Sequence, residues 1–229
     1  MKKKMLFICA AGLLTAGIAS AIESANIVGY QKVEGTTGGN RMFVTSPFVS
    51  VLSPDQKFTL TQITGNLRNY DTVQFLNAAG NVASSAYYWA SDRSWWDVVS
   101  GNEVTDVEYL AGVGMIVSTA TKFDGFIAGQ VEEDDITIPL NSGKTLVGNA
   151  SPVTLELGQF TFSGLANYHT VDFLNAAGNV YASAYYWASS RTWWDVASGD
   201  EATDWEILPG EGFLVNCLGG SVKIPTAMP

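Results

Sequence analysis

Histidine occurs once in these 229 residues, at His169, and cysteine twice, at Cys9 and Cys217. Zinc centres draw on several His and Cys ligands, so this inventory is too short for one. A Ser-His-Asp or Cys-His relay would have to rest on His169 alone. The residue 98 positions earlier in an internal repeat is Asp71, and a solvated turn histidine is the simpler reading. The sequence also lacks a phosphate-cradling Gly loop followed by Lys and Ser/Thr, and a dinucleotide fingerprint. No cofactor is expected. Basic residues are scarce, 12 against 22 acidic. Nucleic-acid affinity depends on Lys and Arg neutralising phosphates, so nucleic acid is excluded as a partner.

The first 21 residues read as an export signal. Lys2, Lys3 and Lys4 precede an apolar, uncharged stretch from Met5 to Ile18, and Ala19-Ser20-Ala21 supplies small residues for cleavage near Ala21. The stretch is shorter than the ~20 apolar residues that span a bilayer, so no membrane insertion is expected after cleavage. Cys9 lies inside the apolar stretch rather than after it, which argues against a lipid anchor. Cleavage removes three of the basic residues, leaving 9 against 22 and a net charge of −13. Such acidity suits a soluble exported chain, whether extracellular, periplasmic or at the cell surface. It leaves Cys217 alone, so no internal disulfide can form and the core must stabilise the fold. Cys217 sits in Phe213-Leu214-Val215-Asn216-Cys217-Leu218, as a small buried side chain would.

The dominant feature is a duplication. Residues 69–118 and 167–216 align without a gap at an offset of 98, with 34 of 50 positions identical, which chance does not produce. Asn77-Ala78-Ala79-Gly80-Asn81-Val82, Ala86-Tyr87-Tyr88-Trp89-Ala90-Ser91 and Trp95-Trp96-Asp97-Val98 all recur. A repeat implies one supersecondary unit made twice. Weaker matches outward (Ser46-Pro47 with Ser151-Pro152, Ile138-Pro139 with Ile224-Pro225) place a first unit over 22–140 and a second over 141–229. Leu140-Asn141-Ser142-Gly143-Lys144 reads as a tight turn between them.

Local patterns favour strands. Thr72-Val73-Gln74-Phe75-Leu76 alternates polar and apolar residues. It then meets a loop ending in Gly80-Asn81 and a run rich in Val and aromatics, which is a hairpin pattern. In that second run Ala83, Ser85, Tyr87 and Trp89 share one face, and Val82, Ser84, Ala86 and Tyr88 the other. Ala111-Gly112-Val113-Gly114 and Pro209-Gly210-Glu211-Gly212 each read as a Gly turn entering a buried strand. No stretch beyond the leader sustains helical spacing. The expectation is an all-β protein of two tandem sandwich or barrel-like units. The sequence leaves open whether they form two bodies or one pseudo-symmetric body.

Three further segments carry a resemblance: Ser24-Ala25-Asn26-Ile27-Val28-Gly29-Tyr30, Gly143-Lys144-Thr145-Leu146-Val147-Gly148-Asn149, and Pro209-Gly210-Glu211-Gly212-Phe213. Together they resemble an uncharacterised family of secreted bacterial proteins that often carry the unit twice. The resemblance implies export and a β-rich fold, and no activity. Val113 stands where the second copy has Glu211, so the glutamate is not a requirement of the unit.

Repeated carboxylates (Asp97 and Asp195, Glu103 and Glu201, Asp106 and Asp204, Glu108 and Glu206) would suit glycoside hydrolysis by an Asp/Glu pair, but acids in Gly- and Ser-rich loops ordinarily make turns. Glu132, Glu133, Asp134 and Asp135 offer oxygen ligands for calcium without a recognised spacing. The aromatic clusters are the stronger candidates: Tyr87, Trp89, Trp95 and Trp96, with Tyr185, Trp187, Trp193 and Trp194. Flat sugar rings dock on exposed Trp and Tyr faces, whereas buried rings would simply fill two small cores. The function expected is a non-catalytic, secreted or surface-associated structural or adhesion protein. The alternatives are carbohydrate binding through the duplicated clusters and, more weakly, a glycoside hydrolase. The partners would be extracellular polysaccharide or other surface proteins.

Overall fold

The computed structural model describes residues 28–34, 41–50, 57–132, 134–175 and 178–226. The expected leader, residues 24–27 of the resembling segment and Glu133 of the acidic run lie outside them. The described residues are all-β, with two short 3-10 turns (Leu60–Gln62 and Leu157–Gln159) and no α-helix. No helix among them is long and apolar enough to cross a membrane.

The strands of the first sequence copy are β1 (Val28–Glu34), β2 (Arg41–Thr45), β3 (Lys57–Thr59), β4 (Ile63–Gly65), β5 (Thr72–Leu76), β6 (Val82–Trp89), β7 (Ser94–Asp97), β8 (Glu108–Leu110), β9 (Gly114–Ser118) and β10 (Asp124–Gln130). They form a five-stranded sheet in the order β2-β9-β5-β6-β7, a three-stranded sheet β1-β10-β4 and the pair β3-β8. β11 (Ile136–Gly148) runs across the boundary expected at 140/141, and the second copy supplies β12 (Leu155–Glu156), β13 (Thr161–Ser163), β14 (Thr170–Leu174), β15 (Val180–Trp187), β16 (Thr192–Asp195), β17 (Glu206–Ile207) and β18 (Gly212–Ile224). Here one sheet runs β11-β18-β14-β15-β16, β13 also pairs with β18, and β12 pairs with β17.

The hairpins expected from alternation are present in the same register in both copies. Thr72 faces Tyr87 and Val73 faces Ala86, and likewise Thr170 faces Tyr185 and Val171 faces Ala184. Both registers slip at the same place, between Phe75 and Leu76 and between Phe173 and Leu174. One face of each sheet is core. Val73, Phe75, Ala86 and Trp95 are buried in the first copy, and Val171, Phe173, Ala184 and Trp193 in the second. Burying a large apolar side chain contributes roughly 1.5–3 kcal/mol, which stabilises a fold whose only described cysteine, Cys217, is free and buried.

One expectation is corrected. Residues 140–144 do not turn; they lie inside β11, where Leu140 faces Gly220 and Gly143 faces Cys217 on β18. The physical reason is a close approach. A Cβ on Gly143 would lie 2.2 Å from the carbonyl oxygen of Ala78, and Gly143 has φ +106. Glycine here marks one backbone passing against another, not a chain reversal. Lys144 N donates to that same Ala78 oxygen at 2.7 Å.

The copies therefore touch, and they do so reciprocally. Thr45 N donates to Gly210 O at 3.0 Å, and Gly148 N donates to Gly112 O at 3.1 Å. Gly112 and Gly210 are repeat equivalents. Isolated bridges join Val44 to Glu211 and Val147 to Val113. Between the sheets Ile116, Leu146 and Leu214 form a separate apolar cluster, against which Phe43, Leu76 and Leu174 pack. Val49 and Ala111 of the first copy are part of the second copy's core.

Candidate functional site

Alternation along β6 sends Ala86 and Tyr88 inward and Tyr87 and Trp89 outward. Tyr88 packs on buried Trp95 with ring centroids 5.1 Å apart. On the outer face, cross-strand pairing sets Trp96 opposite Tyr87. The second copy repeats this: Tyr186 lies 5.0 Å from Trp193, and Trp194 is opposite Tyr185.

The expected site residues thus divide. Trp95 and Trp193 are 1% and 2% exposed and have no face to offer a ligand. Tyr87, Trp89 and Trp96, with Tyr185, Trp187 and Trp194, are partly exposed. The indole N–H of Trp96 donates to Ser94 Oγ at 2.7 Å, and that of Trp194 to Thr192 Oγ1 at 2.9 Å. These bonds satisfy the polar edge of each indole and fix its orientation.

Sequence reasoning missed the most exposed member of each cluster, Tyr70 and Tyr168, each 68% exposed. Tyr70 lies edge-on to Trp89 (5.6 Å, 80°) and tilted over Tyr87 (5.8 Å, 32°). Tyr168 does the same with Trp187 (5.4 Å, 82°) and Tyr185 (5.8 Å, 31°). The signal was present: Asn69-Tyr70 and Asn167-Tyr168 open the gapless match.

The backbone beneath these tyrosines is strained. Tyr70 has φ 70° and Tyr168 φ 68°, the left-handed region that a bulky residue rarely enters. Hydrogen bonds hold the turn there. Tyr70 N donates to Tyr88 O, and Tyr88 N to Asp71 O. Buried Asp71 accepts from Arg68 N at 2.8 Å and Ala120 N at 3.0 Å. In the second copy His169 Nδ1 accepts from Ala166 N at 3.0 Å, so this ring nitrogen is engaged in the same turn. Asn69 and Asn167 each accept from the backbone of the loop beyond the facing tryptophan, Ala90 N and Ala188 N, both at 2.7 Å.

Four of the repeated carboxylates, Asp97, Asp195, Glu103 and Glu108, have structural occupations. Asp97 caps its own turn, accepting from Val99 N at 3.1 Å and Ser100 N at 2.6 Å. The Ser100 backbone N–H, with smaller help from its hydroxyl, holds the Asp97 carboxyl below its ordinary value. Asp195 is lowered likewise, chiefly by the Ala197 N–H and then by the Ser198 hydroxyl. Glu108 pairs with Lys57 at 3.1 Å. Glu103, which shares a shallow open hollow with Asp106, accepts from the Thr105 hydroxyl at 2.8 Å. Asp135, in the acidic run, pairs with Lys223 at 2.6 Å. Among the described residues no three His, Cys, Asp or Glu side chains gather as a metal site.

Fold and site together define an all-β protein carrying two equivalent, partly exposed aromatic clusters on strained turns. Comparison with protein-family models, with curated proteins and with solved structures gives no match for the chain.

Proposed function

We propose that this is a non-catalytic, exported adhesion protein that binds extracellular polysaccharide through two aromatic platforms, Tyr70–Tyr87–Trp89 and Tyr168–Tyr185–Trp187. The observation that carries this reading is the duplicated ring geometry on a left-handed tyrosine in both copies. Strained residues cost of order 1–3 kcal/mol and gather where a binding surface needs them. A largely exposed ring, edge-on to its tryptophan neighbour and tilted over the second tyrosine, offers a flat apolar surface to sugar C–H groups. Export rests on the Lys2-to-Ala21 leader. The non-catalytic part rests on the turn, ion-pair and hydroxyl contacts that occupy Asp97, Asp195, Glu108 and Glu103.

Retardation of the native protein in gels containing soluble polysaccharides tests it. The expected result is retardation by at least one glycan, abolished in a Trp89→Ala, Trp187→Ala variant that keeps its far-UV spectrum. Migration unaffected by every glycan, or retardation indifferent to those substitutions, would overturn the reading.

A further inference from the structure

The two copies meet in a groove of about 260 Å³, independent of the platforms and of the reading given to them. Its lining is matched by the repeat: Leu76 with Leu174, Val82 with Val180, and Ile116 with Leu214. Its two cations correspond as well. Arg41 faces Ser118 on β9, Lys144 faces Asn216 on β18, and Ser118 and Asn216 are repeat equivalents. Each cation reaches over the other copy's hairpin loop. A Cβ on Gly80 would lie 3.0 Å from Lys144 Cδ, and one on Gly178 would lie 3.9 Å from Arg41 Nη1.

Charge and shape point the same way. Lys32, Lys57 and Lys223 have carboxylate partners. No carboxylate among the described residues stands within 4.0 Å of Arg41 or Lys144. The acid in the lining, Asp172, accepts a hydrogen bond from the Ser183 hydroxyl. The lining therefore carries net positive charge inside an acidic protein. Apart from Gln74 its uncharged side chains are apolar, chiefly Leu, Ile and Val with Phe43, and Val82 and Val180 are about half exposed, which suits methylenes better than sugar hydroxyls. The volume falls just below the ~300–1,000 Å³ of pockets for drug-sized ligands, so the occupant is small.

We propose that this groove binds a medium-chain aliphatic carboxylate, its chain on the Leu/Ile/Val floor and its head group between Arg41 and Lys144. Titration calorimetry of the full mature chain with decanoate and with decanol tests this. The expected result is one saturable site per chain for decanoate, with decanol at least tenfold weaker. Arg41→Ala together with Lys144→Ala should bring decanoate down to the decanol level. Val82→Trp, at a position about half exposed, should block both ligands while keeping the parent's far-UV spectrum. Absence of decanoate binding overturns the proposal, as does affinity unchanged in the double variant or in Val82→Trp. Binding confined to phosphatidylglycerol vesicles, with none to free decanoate, also overturns it, because that anion would then be a lipid surface.

Discussion

Tyr70 and Tyr168 occupy a backbone region that glycine or asparagine would enter at lower cost, yet both copies place an exposed aromatic there. Core packing gives no reason for this, since both rings are mostly in solvent and their ring contacts are with the partly exposed rings beside them. Replacing each by Asn, which tolerates φ near +70°, should leave the melting temperature unchanged or slightly raised while glycan retardation falls; calorimetry and affinity gels on one sample read both. Trp95 presents the opposite case. It is buried among core residues, so Trp95→Ala should cost about 3–5 kcal/mol in urea unfolding. Asp97 and Asp195 contribute in a third way. Their folded-state pKa values lie below the unfolded 3.8, so their contribution is present above pH ~4 and lost as pH falls through the folded values. Asp97→Asn with Asp195→Asn should therefore flatten the acid side of a plot of melting temperature against pH below about 4.

Among the elements, β5 and β6 are legible from alternation alone, and so is the division of Tyr87 from Tyr88, because a two-residue period assigns faces without tertiary knowledge. It also separates Trp95 from Trp96, but which of the two points inward depends on the sheet packed against it. Tyr70 is legible only as an identity kept between the copies, not as a platform residue. It sits over β6 because a left-handed turn returns the chain there, and no local pattern encodes that. Residues 140–144 of β11 look like a turn in sequence because Gly143 resembles a turn glycine, whereas its φ of +106° and its contact with Ala78 serve the passage of a strand past the other copy's hairpin. Gly143→Ala should accordingly destabilise the chain by several kcal/mol, both through strain and through collision with the Ala78 carbonyl. Gly101→Ala should cost less, since a Cβ there meets nothing within 4 Å and only its φ of +66° is penalised. Paired urea curves distinguish the two; equal losses would mean that the close approach contributes nothing.

At the scale of the whole molecule, the reciprocal exchanges decide whether the copies behave as two bodies or one. Each copy donates a backbone N–H to the other's Gly turn, Val49 and Ala111 of the first lie in the second's core, and a third apolar cluster closes the gap between the sheets. Domains joined by a small polar interface unfold separately. Here, opening one copy would strip apolar contacts from the other's core and expose Ile116, Leu146 and Leu214 together. Unfolding should then be a single cooperative transition, and damage in one copy should be felt in both. Hydrogen exchange in the Trp95→Ala variant measures this residue by residue. Protection should fall not only in β5 and β6 but also in β14 and β15 of the undamaged copy, by a similar free energy, because both open through the same global event. Protection lost in the first copy alone would mean that the platforms stand on two independent supports. Their mutual geometry, and any gain from binding one polysaccharide at two points, would then not be set by the fold.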